Sequence, residues 1–379
     1  MDDSKTVENL GTPLGADLGA IERELTEFWS KASQQMGETA AIRACSCNLI
    51  ILVSGQKEAE ALPPIIADVA EWHPCRSLVA FREEENIPGN LPPMQGWIHV
   101  RCKSQLGGGP QVCSEMITIG VRRDAVAGLA HILISLLVPD LPVFLYWRHP
   151  RAADWTAMEA LSRLSGLLIL DSQTLHIDPQ DREHVFGLLT GTPRGVEIRD
   201  LSWARLTAWR DLIAQFFDTQ ASRTLLKELA EVEIHRVPAS RDSIPALGLL
   251  LAGWMASRLN WRIASAHKEE GEWRARMLGP DGEVVIRFIS APADSPEVGI
   301  EAVTLKTRGG ATFSVTEDKE RACMKATTSG PGTKPMVHTV PCQSTSEANL
   351  LIGELSLPDE DIGFQAALAA AREIESSFR

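Results

Sequence analysis

The residues Cys47-Asn-Leu-Ile-Ile-Leu-Val53 make a short, unbroken apolar run, and this run constrains the fold more than any other feature of the chain. Seven residues with almost no polar alternation suit a strand buried on both faces, as in a parallel sheet covered by helices. The flanking pattern agrees. Glu58–Glu71 carries Ala61, Ile65, Ile66 and Val69 at helical spacing, with Trp72 beyond them, and Ser77–Phe81 reads as a second strand. Trp97–Cys102 and Val112–Ile119 alternate as an antiparallel pair, joined by a loop containing Gly107-Gly108-Gly109-Pro110. Helices are predicted near Asp124–Leu137 and Asp154–Leu164, and strands at Val143–Trp147 and Leu167–Leu170. The sum is an α/β N-terminal domain: a mostly parallel sheet with an antiparallel hairpin and helices on its faces. Ahead of it, Ile21, Leu25, Phe28 and Trp29 recur along Leu18–Met36, an amphipathic helix expected to pack on its own domain.

After Asp200 the texture changes. Asp200 is a natural N-cap for a helix predicted to run to Phe217. Further helices are predicted at Ser222–Ala230 and at Ser243–Leu259, the latter with an apolar stripe from Ile244 to Leu259, and a short strand at Val232–Val237. A series of alternating segments follows from Trp261 to Val340, punctuated by Gly279-Pro-Asp-Gly282 and Arg308-Gly309-Gly310, and helices near Glu347–Leu355 and Gly363–Ser376 close the chain. This is a C-terminal α+β domain with an antiparallel sheet. At 379 residues one core is too few, and the division expected is an N-terminal segment with its amphipathic helix (1–40), the α/β domain (41–218) and the α+β domain (219–379).

Charge and missing motifs exclude several functions. Thirty-seven Lys and Arg against 50 Asp and Glu give a net charge of -13, which repels nucleic acid and anionic membrane surfaces. The first twenty residues are acidic and polar, unlike a signal peptide, and the apolar stretch Ile132–Trp147 is interrupted by Pro139, Asp140 and Pro142. A cytoplasmic location is predicted. No G-x-G-x-x-G follows a strand, and Walker A, G-x-S-x-G and H-E-x-x-H are all missing. Cys45 and Cys47 have no second close pair to complete a zinc site. His73 and Cys75 lack an identifiable orienting group or oxyanion hole. The sequence therefore assigns no catalytic residue, no metal and no cofactor.

Several blocks, in order, carry a resemblance: His73-Pro-Cys-Arg76, Cys113-Ser-Glu115, Leu137-Val-Pro-Asp-Leu-Pro142 running into Val143–Trp147, and Leu170-Asp-Ser172. They are followed by Asp200-Leu-Ser-Trp-Ala-Arg-Leu-Thr-Ala-Trp-Arg-Asp-Leu-Ile213 and Leu251-Ala-Gly-Trp-Met-Ala-Ser-Arg-Leu-Asn-Trp261. Together they resemble the OpcA family across roughly residues 20 to 265, the Asp200–Ile213 block being the most specific. The resemblance implies a non-catalytic assembly factor and allosteric activator of glucose-6-phosphate dehydrogenase, binding and stabilising its active oligomer in the oxidative pentose phosphate pathway.

Three groups of residues are candidate sites. Trp203, Arg205, Trp209 and Arg210 are residue types enriched at interface hot spots, and Arg205 and Trp209, four apart, are placed to stack on one helix face. Some relatives are regarded as redox-responsive, and Cys45, Cys47, Cys75, Cys102 and Cys113 all fall in the first domain. Arg148, His149 and Arg151 follow a predicted strand and form a possible anion site. That last group underlies the alternative reading, an enzyme or sensor that binds a sugar phosphate or nucleotide in the α/β domain.

Overall fold

The computed structural model of the chain describes residues 14–15, 18–35, 41–43, 45–83, 94–103, 111–122, 128–149, 155–176, 196–237, 244–269, 272–290, 299–342, 346–357 and 361–378. The chain forms two compact units. The first comprises residues 1–171, 191–199 and 346–358, and the second 172–190, 200–345 and 359–379.

The first unit is built on nine strands: β1 (Leu14–Gly15), β2 (Ala41–Arg43), β3 (Cys47–Val53), β4 (Cys75–Arg82), β5 (Met94–Lys103), β6 (Gln111–Val121), β7 (Val143–Trp147), β8 (Leu167–Leu170) and β9 (Glu197–Asp200). Their order is β1-β5-β6-β4-β3-β7-β8-β9, with β2 beside β6. The apolar run of β3 lies at the centre and all seven of its residues are buried. β3 runs parallel to β4 and β7, β4 to β6, and β7 to β8, whereas β5 is antiparallel to β6. From β3 the chain moves outward to β4 and then β6, and afterwards returns to β3's other side for β7 and β8. That reversal makes the β3/β7 boundary the topological switch point of a doubly wound sheet. The helices are α1 (Leu18–Gln35), α2 (Gln56–Trp72), α3 (Leu129–Ser135) and α4 (Trp155–Ser162), with the helix Glu347–Ser356 packed against α2.

α1 packs on its own unit. Ile21 and Leu25 are buried, Glu22 pairs with Arg76, and the Trp29 indole N–H donates to Glu115. Gly96 leaves room for this approach, because a side chain there would crowd the Ile21 methyl at 3.1 Å.

The second unit holds β10 (Leu229–Val237), β11 (Arg262–Glu269), β12 (Glu272–Gly279), β13 (Gly282–Ser290), β14 (Gly299–Thr307), β15 (Thr312–Asp318), β16 (Cys323–Ser329) and β17 (Met336–Pro341), in the order β11-β12-β13-β10-β14-β15-β16-β17. All pairs are antiparallel except β10 with β13. Its helices are α5 (Leu201–Arg205), α6 (Thr207–Gln215), α7 (Gln220–Leu226), α8 (Ala246–Leu259) and, beyond the helix Glu347–Ser356 (α9), α10 (Ile362–Ser376). Alternation along the strands buries Val232, Ile234, Ile286, Phe288, Val303 and Leu305. Interleaved polar residues form an ion-pair network of Glu231, Glu233, Glu272, Arg274, Arg287 and Lys306. α8 and α10 approach closely at Gly253, where any side chain would run into the Ala367 carbonyl.

The helix predicted from Asp200 to Phe217 is in fact two. Asp200 caps as expected, its carboxylate accepting from the Ser202 amide. At Leu206, however, the amide bonds the Trp203 carbonyl three residues back, a tightened turn that ends α5 and begins α6. Leu206 is fully buried, and turning its side chain inward at this point rotates the residues that follow. The strand Glu197–Asp200 is likewise an element the sequence pattern does not signal.

Candidate functional site

In an open α/β sheet, ligands bind outside the carboxyl ends of the strands at the switch point. Here that position lies between the end of β3, leading through Ser54 and Gly55 into α2, and the end of β7, leading into Arg148 and His149. Glu58, in the first turn of α2, accepts hydrogen bonds from the Ser54 amide (3.0 Å) and hydroxyl (2.5 Å) and faces His149 Nδ1 at 2.7 Å. Burial alone would raise the Glu58 pKa. The His149 and Ser54 hydrogen bonds outweigh it and lower the pKa to about 2. The N-terminal end of α2, with its positive dipole, thus already faces a carboxylate of its own chain.

The β7 side is closed in the same way. Arg148 donates from Nε (2.6 Å) and Nη2 (2.8 Å) to the two oxygens of Glu347, a bidentate pair. The Tyr146 hydroxyl donates to Glu347 as well, at 2.8 Å. Burial, followed by the Glu347 charge, pushes the Tyr146 pKa well above its usual value, so the phenol stays protonated as a donor. α9, which begins at Glu347, is fastened along its length. His73 contacts the Ser356 hydroxyl at 3.1 Å, and Arg199 donates to the carbonyls of Glu354 and Leu357. The structure therefore brings Arg148 and His149 together at the crevice, each against a carboxylate of this chain. Arg151 lies outside the described residues.

In the second unit, Trp203 and Trp209 are both buried, while Arg205 and Arg210 are partly exposed. The cation–π contact described in this cluster joins one residue from each of the two helices. The Arg210 guanidinium lies 3.5 Å over the Trp203 ring, a pairing the break at Leu206 makes possible. The Trp203 indole N–H donates to Asp361 at 2.5 Å, and Asp361 also caps α10 through the Phe364 amide. The tryptophans are thus core anchors, and the arginines carry the outer edge of the cluster.

The candidate cysteines lie, by strand register, toward the end of the first sheet at which β3, β4 and β6 begin. Cys47 and Cys75 are register partners on β3 and β4, both buried. A hydrogen bond between them lowers the Cys47 pKa and, with burial, raises that of Cys75. Cys45 is partly exposed, and its pKa is raised by burial. Cys102 and Cys113 stand opposite each other in the β5/β6 register. Among the described residues no cluster of three or more His, Cys, Asp or Glu is placed to hold a metal, and no helix is long and apolar enough to cross a membrane.

Sequence reasoning missed the two glutamates that shape the crevice. Glu58 carries a weak signal, an acid in the first turn of a helix. Glu347 has none, because it lies 199 residues from Arg148.

The fold and the crevice define a class: a two-unit protein with a doubly wound α/β body, its switch point filled by its own carboxylates, and an α+β unit on an eight-stranded sheet. Two family models match this chain, the glucose-6-phosphate dehydrogenase subunit N-terminal domain over residues 66–185 and the corresponding C-terminal domain over residues 196–368. Between them they cover well over half of it, and the chain belongs to the OpcA family. OpcA of Nostoc punctiforme is 28% identical over 212 residues, covering 56% of this chain and 43% of that one. OpcA of Synechocystis is 26% identical over 214 residues with the same coverage. Both bear names that refer to the OxPP cycle, and the match spans less than half of their length. Among solved structures, yvaA of Bacillus subtilis, named an oxidoreductase, aligns over 87% of this chain and 96% of its own with 10% identity and a TM-score of 0.47. A likeness at that level carries no functional argument.

Proposed function

We propose that this chain is a non-catalytic, cytoplasmic assembly factor and allosteric activator of glucose-6-phosphate dehydrogenase, acting in the oxidative pentose phosphate pathway by binding and stabilising the dehydrogenase's active oligomer. Membership of a family whose domains are described as dehydrogenase subunits supports the partner. The observation that carries the non-catalytic part is the filled switch point. Arg148 and the N-terminus of α2, the groups a nucleotide or sugar phosphate would need, face Glu347 and Glu58 instead. Activation then requires only linkage: a protein that binds the active state better than the inactive one shifts the population toward it. Moving an equilibrium from mostly inactive to mostly active takes about 5.5 kcal/mol of differential affinity, within reach of a protein interface. The contact proposed is the arginine edge of the α5–α6 cluster, Arg205 and Arg210, with Trp203 and Trp209 holding it in shape.

The test is dehydrogenase activity from the same organism with and without this chain, with light scattering for the mass of the complex. The expected result is higher activity and a new, larger species. No effect and no complex would overturn the proposal. Arg205→Ala is expected to weaken activation by roughly fivefold or more, on the scale of an interface hot spot, while leaving the melting temperature unchanged. A variant that fails to fold would instead make Arg205 a structural residue. Glucose 6-phosphate is expected to leave the melting temperature of the isolated chain unaltered. A clear rise would restore the sugar-phosphate reading.

A further inference from the structure

The eight-stranded sheet of the second unit ends at β11 on one side and at β17 on the other, and the two edges are finished differently. An edge strand offers a row of backbone donors and acceptors to another chain, so natural sheets guard it with charges, bulges or a covering element. β11 has all three. It carries Arg262, Lys268 and Glu269, a bulge between Ile263 and Ser265 interrupts its pairing with β12, and α10 packs against it. β17 has none of these among the described residues. Its six residues pair with β16 without a register shift. Met336, Val337, His338, Thr339 and Pro341 are exposed, Val337 by 66%. The run Pro335–Ser346 contains no Asp, Glu, Lys or Arg. The strand is nevertheless fixed at both ends. Gly330 and Gly332 turn the chain with positive φ, the Thr328 hydroxyl donates to the Lys334 carbonyl at 2.7 Å, and the Cys342 amide donates to the Ala322 carbonyl at 2.9 Å.

We propose that β17 is a self-association edge: two copies of this chain pair their β17 strands antiparallel about a two-fold axis at His338, joining their sheets into one. The absence of charge selects the occupant. A chain of net charge -13 repels its own copy least where the surface carries no charge, and the edge of β17 is such a surface. The strand is also its own complement. An axis normal to the sheet keeps each face on its own side, so residues of the same face must meet across it. About His338, Met336 of one copy lies opposite Val340 of the other, twice over, and Val337 lies opposite Thr339. Met336 and Val340 share the face of Met324 and Ala326, which are buried, so the apolar side of each sheet continues across the join. About Thr339 the same rule would set His338 against Val340 and carry Met336 past the end of the partner strand. Because the strand is already fixed, pairing requires little further ordering. About five residues a side make a small interface, so the dimer is weak and reversible.

The test is sedimentation velocity of the full chain alone at about 5 to 500 μM, which reads self-association without the dehydrogenase and is independent of activation. A monomer–dimer equilibrium with Kd on the order of 10–100 μM is expected. His338→Lys and His338→Glu each set like charges directly opposite one another at the axis, and each should weaken the dimer at least about tenfold. A mixture of the two variants sets opposite charges across the axis and should return the Kd to within about fivefold of the wild type. His338 is exposed, so both substitutions keep the fold. A wild type that remains monomeric at about 500 μM would overturn the proposal. So would a dimer indifferent to both variants, or a mixture that associates no more tightly than either variant alone, since the rescue requires the two strands to meet at His338. Should either variant not fold, Val337→Lys, also on an exposed side chain, decides alone, and an undiminished dimer there sinks the assignment.

Discussion

Arg76 and Arg148 stand at opposite ends of one parallel sheet, each held by a glutamate, and the two pairs differ in almost everything else. Arg76, at the start of β4, meets Glu115 on β6, its register partner, at 2.5 Å with both side chains at most 5% exposed. The Leu136 carbonyl and Glu22 both accept from Arg76 Nη1, and Trp29 bonds the second Glu115 oxygen. Arg148, beyond the end of β7, is 17% exposed, and its glutamate arrives on a helix from the far end of the sequence. The first pair is core, where two of the blocks that carry the family resemblance converge. The second seals a crevice that the sheet order itself creates. A buried ion pair is thus fixed by strand register in one place and by the return of a distant segment in the other.

Removing the carboxylates separates these roles. Glu115→Ala leaves a buried guanidinium with only the half-exposed Glu22 opposite it and should cost about 3–5 kcal/mol in urea unfolding, while Arg76→Met combined with Glu115→Leu should recover most of it. Glu347→Ala strands Arg148 and the Tyr146 hydroxyl, but Arg148 reaches water, so the loss should be nearer 1–3 kcal/mol. Equal costs for the two single variants would erase the distinction between core and crevice.

Much of the first unit is legible in the sequence because its signals are local. The seven-residue run of β3, the period of α2 and the alternation of β5 and β6 each report burial within one element. The Asp200 cap is legible for the same reason, being a bond to an amide two residues on. What fails is whatever depends on remote partners. Nothing in residues 346–358 announces that they join the first unit, since an amphipathic stretch fits either body. The Arg205–Trp209 pairing presumes a continuous helix. A buried leucine at 206 interrupts that helix, and Arg210 from α6 lies over the Trp203 ring of α5.

The smallest effect belongs to the other carboxylate of the crevice and tests its charge directly. Glu58 has its pKa lowered from 4.5 to about 2 in the folded chain. Folding therefore favours the ionised form, and the stability it contributes is present above pH 4.5 and lost as the pH falls through about 2. Glu58→Gln should melt lower than the wild type at pH 7, by about a degree or two, as befits a partly exposed pair. That gap should narrow steadily below pH 4.5 and close near pH 2. A gap independent of pH would mean that Glu58 carries no charge at the end of α2. The crevice would then hold one carboxylate rather than two, and the case that it repels phosphate would rest on Glu347 alone.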